Sequence, residues 1–265
     1  MSLIAALGLG LLVAAVIALA GYRARALTLD GALAATVVGT LVFGCGGLRW
    51  AIVMVAFFVL SSGLSRVGKH RKHSAERLAE KSSRRDAVQV LANGGIAALL
   101  ALVHQLSGSQ LLFPAFLGTM SAAISDTWST EIGGLSRQPP RSILTGKIVE
   151  PGASGGVTPL GLLAAAMGGL AVGIIGGAWN VNALRLIALA LLAGFAGSVF
   201  DSLLGASVQR TYRCPTCGTF TERTVHDCGT ATVPAHGLAF INNDTVNGLT
   251  TLFGAVCGAM LFVVL

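Results

Sequence analysis

Residues Leu111–Gly134 read LLFPAFLGTMSAAISDTWSTEIGG, and the order of these letters decides the fold. From Leu111 to Ile124 the segment is uncharged and suited to a lipid bilayer, whereas its last ten residues, SDTWSTEIGG, carry Asp126 and Glu131. An ionised carboxylate at mid-bilayer costs roughly 2.5 to 3.5 kcal/mol even on lenient insertion scales. A chain that ends an apolar helix in two of them gains something from their charge.

Composition fixes the setting. Of 265 residues 54% are hydrophobic and 11% charged, with a mean hydropathy of +0.76, far from the roughly one quarter of charged residues in soluble domains. This is a polytopic membrane protein, and its 35 glycines fit transmembrane helices that must approach closely where lipid supplies no drive for association. Apolar runs near 2–20, 29–47, 50–65, 86–106, 111–132, 156–178, 184–205 and 244–265 predict an all-α bundle of about eight transmembrane helices forming one integral membrane domain over 1–265. The third run is short and the fifth ends in polar residues. Met1–Ala20 has no basic start and is long enough to span, so it is expected to stay as a first helix.

Charge orients these spans. Placed on alternate sides, sixteen of the eighteen lysines and arginines fall on one face, eight of them between Arg66 and Arg85, and Arg49 and Arg185 fall on the other. The positive-inside rule makes the basic face cytoplasmic and leaves both termini outside. The net charge of +7 is thus a topology signal, with no nucleic-acid partner expected.

With that topology the carboxylates collect at one depth. Asp126 and Glu131 end the fifth span, Asp201 ends the seventh in GSVFDSLLGA, and Asp244 begins the eighth in INNDTVNG. Asp86 and Asp30 begin the fourth and second. Acidic residues at helix N-termini complement the macrodipole, which can account for Asp30, Asp86 and Asp244 without chemistry. It fails for Asp126 and Asp201, near helix C-terminal ends, and an ionisable residue there is a functional hypothesis by default. Helical spacing adds polar stripes: Arg85, Gln89 and Asn93 share a face, as do Asn243 and Asn247, and Asp201, Gly205 and Gln209 if that helix runs far enough.

Two further elements supply chemistry. Pro151–Gly161, PGASGGVTPLG, offers Gly155 and Gly156 backbone N–H groups just before the sixth span, suited to a phosphate. Its letters also fit the G-x-S-x-G elbow of serine hydrolases, but that elbow needs a strand-to-helix turn. Arg84, Arg85, Arg141 and Lys147 border the same face as phosphate partners or topology determinants. In the cytoplasmic loop 206–243, Cys214, Cys217, His226 and Cys228 form a candidate structural zinc site, with His236 as an alternative to His226. A cytoplasmic face argues against a disulfide. Cys45 and Cys257 lie in apolar spans and read as packing residues.

SRRDAVQVLANGG (Ser83–Gly95), SDTWSTEIGG, GASGGVTPLG (Gly152–Gly161), DSLLGASVQ (Asp201–Gln209) and NNDTVN (Asn242–Asn247), in that order, resemble the membrane family typified by plant phytyl-phosphate kinase and animal transmembrane protein nineteen. The resemblance runs from about Arg84 to Leu265, and more loosely over the first three spans. Ala153 and Ser154 depart from the usual TNGGVS-like loop. The resemblance implies transfer of a phosphoryl group from a nucleotide, CTP or a related one, to a prenyl monophosphate such as phytyl phosphate, giving the diphosphate. A bacterial cytoplasmic or thylakoid membrane is the expected location.

Phosphoryl transfer needs positioning and neutralisation of spread negative charge, usually with Mg2+ held by one or two carboxylates and the substrate phosphates. Asp126, Asp201 and Asp244 are the candidate magnesium ligands. Arg85, Gln89, Asn93, Lys147, Glu131 and the Gly155–Gly156 backbone are candidates for the phosphates, and Asn243 and Asn247 for orienting donor or metal. A lipid cytidylyltransferase or alcohol-phosphotransferase would use similar parts. An ion-coupled transporter is the rival of another class, although transporters place ionisable groups near the midplane between repeated halves.

Overall fold

The computed structural model describes residues 2–66, 84–178 and 180–265. Five of the eight basic residues between Arg66 and Arg85 therefore lie outside the described residues.

Eight long helices run through the described chain, one for each expected span. They are α1 (Leu3–Arg23), α2 (Leu29–Leu41, continued as a π-helical turn over Val42–Gly46), α3 (Leu48–Leu64), α4 (Ala87–Ser107), α5 (Leu112–Gly133), α6 (Pro159–Gly177), α7 (Ala183–Ser207) and α8 (Asn243–Val264). Their starts follow from side chains that satisfy otherwise orphaned N–H groups. Thr28 caps α2 at Gly31 N, Thr158 caps α6 at Gly161 N with Pro159 at the first helical position, and Asn242 caps α8 at Thr245 N. Asp86 caps α4 in a reciprocal box: its carboxylate accepts from Gln89 N–H at 2.9 Å, and Gln89 Oε1 accepts from Asp86 N–H at 3.3 Å. Asp30 accepts from Thr28 Oγ1 at 2.6 Å and from Ala87 N–H at 3.0 Å, stitching the start of α2 to the start of α4. Both acidic residues thus serve helix termini, as the dipole argument allows.

Contacts sort the helix ends onto two faces. On one, Leu27 pairs with Arg85, and Gly133 at the end of α5 approaches Thr158 at the start of α6. On the other, Trp50 of α3 stacks on His104 of α4 at 5.3 Å and packs on Phe113 and Phe116 of α5. Arg49 lies over the Phe113 ring and Arg185 over the Phe262 ring, 4.9 and 4.3 Å from the centroids. The two basic residues assigned to the sparse face share that face here and are held by cation–π contacts.

Six helices are long and apolar enough to cross a membrane: α1, α2 with its π-helical turn, α4, α6, α7 and α8. Helix α3 has 17 residues and is apolar but shorter. Helix α5 is different because it is the hub. Every residue from Pro114 to Ser125 is buried, and α3, α4, α6, α7 and α8 all pack on it. Protein surrounds it in place of lipid, so its polar end is compatible with its position. The outer helices face outward with large apolar side chains such as Ile4, Leu12, Leu33, Leu163, Leu184 and Met260.

Lipid tails give packed helices no hydrophobic advantage, so close backbone approach has to hold α5. A Cβ at Gly254 of α8 would stand 2.6 Å from both Ala122 Cβ and the Gly118 carbonyl oxygen; one at Gly197 of α7 would stand 2.5 Å from Ala122 Cβ. Ser125 Oγ donates to the Ala165 carbonyl of α6 at 2.7 Å and fixes the depth of α5.

The polar loops add two small sheets. β1 (Arg141–Ser142) pairs antiparallel with β2 (Gly156–Val157), and between α7 and α8 lie β3 (Thr211–Arg213), β4 (Phe220–Thr221) and β5 (Val233–His236), ordered β4-β3-β5.

The packing argument gives a paired test. Gly254→Ala is expected to destabilise the protein by about 1–3 kcal/mol through overpacking. Gly95→Ala in α4, where a Cβ meets nothing within 4 Å, is expected to stabilise it by about 0.5–1 kcal/mol through helix propensity. Unfolding of both variants in detergent micelles checks the signs.

Candidate functional site

The centre of the polar face is a meeting of three helices. Asp126 lies on α5 directly after Ser125, whose bond to α6 sets its depth, and Asp201 lies on α7 one turn beyond the Gly197 contact. The two half-buried carboxyl groups are within hydrogen-bonding reach of one another. From α8, Thr250 Oγ1 donates to Asp201 Oδ2 at 3.0 Å. Like charges this close repel unless a proton or a cation lies between them, so the pair is suited to holding a divalent cation with its remaining oxygens.

A third carboxylate, Glu222, interacts electrostatically with Asp201 and is held by two hydrogen bonds. Its Oε1 accepts from Ser154 Oγ at 2.6 Å and from Gln209 Nε2 at 2.7 Å. Sequence reasoning missed Glu222. Its position follows β4 in a loop with no helical period, and its sole signal is that it stands between the cysteine pair and the His-x-Cys. Helix α7 ends at Ser207, so Gln209 is beyond the stripe expected of it and reaches Glu222 from the following turn.

The glycine loop differs from the expected phosphate cradle. Helix α6 starts at Pro159 with Thr158 as its cap, and Gly156 N–H donates to the Ala153 carbonyl at 3.0 Å. That N–H is committed to a turn and does not face a phosphate. Gly155 packs against Ala206 and Gly205 of α7, where a side chain would collide with the helix backbone. The loop thereby brings Ser154 to Glu222. Lys147 sits exposed on a tight turn, with Ser142 N–H donating to its carbonyl at 2.9 Å.

Asp244 is buried in the first turn of α8. With Asn247 and Thr251 it forms one helical stripe. Thr251 Oγ1 donates to the Ala92 carbonyl of α4 at 3.0 Å, so that stripe faces α4. Asn243 is half-buried in the same first turn. The structure thus brings Asp244 and Asn247 to the side of α4, while Thr250 on the adjoining side of α8 serves Asp201.

Arg85, Gln89 and Asn93 line the polar end of a cavity of about 80 Å³. The remaining wall is mostly apolar, including Ile17, Leu27, Val38, Phe43, Met54 and Phe57 from the first three helices and the α1–α2 turn. The Arg85 guanidinium lies 5.5 Å from the Phe57 ring centroid and interacts electrostatically with Glu131 at the end of α5. Asn93 Nδ2 donates to the Gln89 carbonyl at 3.0 Å. Gln89 is shared between the cavity and the cap of α4. The indole Nε1 of Trp128, one turn before Glu131, is buried without a hydrogen-bond partner among the described residues.

The cysteine loop closes on itself. One ligand atom from each of Cys214, Cys217, His226 and Cys228 lies within 4.8 Å of the others. His236 is elsewhere, with its Nε2 2.8 Å from the Ser207 carbonyl. The cysteines are free thiols. The Thr230 hydroxyl and then His226 hold the Cys228 thiol down to about 6, whereas its contact with Cys228 and then burial push Cys217 up to about 11.

Comparison with known proteins places this architecture. The chain is 32% identical to Protein PGR of Arabidopsis thaliana over 91% of each chain. It is 28% identical to an uncharacterized membrane protein of Methanocaldococcus jannaschii, over 95% of this chain and 92% of that one. It is 24% identical to Protein VTE6, chloroplastic, of Arabidopsis thaliana, over 89% of this chain and 65% of that one. No solved structure matches. The family model described as Integral membrane protein DUF92 matches residues 12–255, and the chain belongs to that family.

Proposed function

We propose that this protein is a membrane kinase that transfers a phosphoryl group from a nucleoside triphosphate, CTP being favoured, to a prenyl monophosphate such as phytyl phosphate, forming the diphosphate. The observation that carries the reading is the convergence, on one face, of the Asp126–Asp201 pair with a cationic mouth, Arg85, that opens into an apolar cavity. An amphiphile with an anionic head and a hydrocarbon tail fits that combination. The resemblance of the ordered motifs to the phytyl-phosphate kinase-like family supports it independently.

Each group has a role in this reading. Arg85 and Asn93 hold the acceptor phosphate at the cavity mouth, and the apolar wall takes the prenyl chain. Asp126 and Asp201 would hold Mg2+ with the all-oxygen donor set that this ion prefers, and Asp244 and Glu222 would add negative charge around the site. The ion, when bound, neutralises charge on the donor phosphates. Thr250 orients Asp201, and Asn243 and Asn247 orient the donor from α8. Burial between helices excludes water that would otherwise hydrolyse the donor.

Product analysis tests the reaction. Purified protein incubated with Mg2+, each nucleoside triphosphate and a panel of prenyl alcohols and monophosphates is expected to yield a prenyl diphosphate and a nucleoside diphosphate. A nucleotide-linked lipid with pyrophosphate would replace this reading by a cytidylyltransferase. Solute uptake into proteoliposomes without nucleotide turnover would replace it by a transporter.

Two substitution experiments follow. Asp126→Asn keeps side-chain size and eases the cost of a charge at the membrane, so expression is expected to hold while kcat falls by about a thousandfold, roughly 4 kcal/mol of transition-state stabilisation. Asp201→Asn is expected to match it, and the double variant to be barely worse, since members of one catalytic unit are not additive. Near-normal turnover of Asp126→Asn at limiting Mg2+ would make the pair structural. In the cavity wall, Ala35→Phe shortens the space for the tail. It is expected to raise KM for a long prenyl phosphate by about tenfold, close to the loss of two buried methylenes, and to leave a five-carbon substrate unaffected.

A further inference from the structure

The loop between α7 and α8 contains two tight turns of matching design. In the first, Cys214 follows β3 directly, its N–H donates to the Thr219 carbonyl at 2.9 Å, and Gly218 N–H returns to the Cys214 carbonyl at 2.8 Å. In the second, His226 N–H donates to the Thr230 carbonyl at 3.0 Å, and Gly229 N–H returns to the His226 carbonyl at 2.8 Å. Gly218 and Gly229 close these turns with φ of +74° and +80°, a conformation that favours glycine. Each turn thereby points two soft donors the same way, and the two turns face each other.

The separations fit a small cation. Cys214 Sγ lies 3.6 Å from Cys228 Sγ, and His226 Nδ1 lies 3.2 Å from Cys228 Sγ. A tetrahedral zinc with Zn–S bonds of about 2.3 Å separates two sulfurs by about 3.8 Å. Cys217 N–H lies 3.4 Å from Cys214 Sγ, a backbone donor that orients that ligand. The loop has little apolar core: β4 is two residues long, and Val225 and Val233 are exposed. A domain this small ordinarily needs a metal or disulfides to fold, and its cysteines are unpaired.

We propose that Cys214, Cys217, His226 and Cys228 bind one zinc ion that locks the two turns together and so holds Glu222, which follows the short strand β4 between them, against Ser154 and Gln209. Binding takes all three sulfurs as thiolates, with any remaining thiol proton released to solvent, leaves His226 neutral, and fills all four positions, so the ion is structural and takes no substrate. Zinc would then control the shape of the polar face from outside the membrane, through a residue that closes the glycine loop onto the end of α7. This holds whatever reaction the carboxylates perform.

Elemental analysis of the full-length protein, purified in detergent without chelator, is expected to give about one zinc per chain. A Cys217→Ser, Cys228→Ser double variant is expected to lose it. Cys228→His, which keeps four ligands, and Cys45→Ser with Cys257→Ser, which lie in α2's π-helical turn and in α8, are expected to retain it. Absence of zinc from wild-type protein that also fails to take it up on addition would overturn the site, as would full zinc in the double variant. Stripping zinc from the wild-type protein with a mercurial, then reducing the thiols with excess dithiothreitol and a chelator, is expected to raise hydrogen exchange in 208–242 and across Ser154–Gly156 while leaving α8 unchanged. Unchanged exchange in both segments after zinc loss would overturn the clamp.

Discussion

Helix α5 can sit among five other helices because its neighbours bring backbone, and not side chain, against it. In a bilayer the alternative surroundings of each helix are as apolar as its partners, so association depends on close contact and on polar bonds that lipid cannot replace. Gly118, Gly197 and Gly254 give that contact, and the Ser125 hydroxyl bonded to Ala165 supplies the polar lock. The position of Asp126 is a consequence. It is the next residue after the lock, so its depth and the side it faces are set before any question of chemistry arises.

The same close packing accounts for the pairing of carboxylates. Gly197 lets α7 approach Ala122 of α5, and one turn further along each helix stand Asp201 and Asp126. Neither residue is tolerated there for helix stability, since both lie where the macrodipole is negative. Thr250 from α8 relieves part of that cost with a hydrogen bond, and a bound cation would relieve the rest. Glu222 arrives by a different route, on a loop of short strands fastened to Ser154 and Gln209. Three helices and one loop thus contribute to a group of charges that no single segment could stabilise.

Much of this was legible in the sequence. Eight apolar runs became eight helices, and among the described residues Arg49 and Arg185 lie at the face opposite Arg85, because span length and charge placement are constraints the bilayer imposes on any chain. The third and fifth runs stood out in the sequence for good reason: α3 is short, and α5 is surrounded by protein, so lipid hydropathy does not govern it. The pairing of Asp126 with Asp201 could be inferred as a shared depth, but not as a contact, since rotation about a helix axis is set by partners. The glycine loop misled because composition does not say which N–H groups a turn consumes; Gly156 spends its own on Ala153. Glu222 was out of reach, as its place depends on a fold of the loop that has neither helical nor strand period. The cysteine cluster was readable because metal-ligand spacing is local.

The arrangement of the two halves bears on how an amphiphile would be handled. Helices α1 to α4 enclose the apolar cavity, whereas α5, α7 and α8 carry the carboxylates, and α4 is the wall they share. Arg85 stands at this seam, between Phe57 on the cavity side and Glu131 on the carboxylate side. A ligand held there by its head presents that head to one half and its tail to the other. Chain length would be set by residues of α1 to α3 and chemistry by α5, α7 and α8, so the two can vary independently.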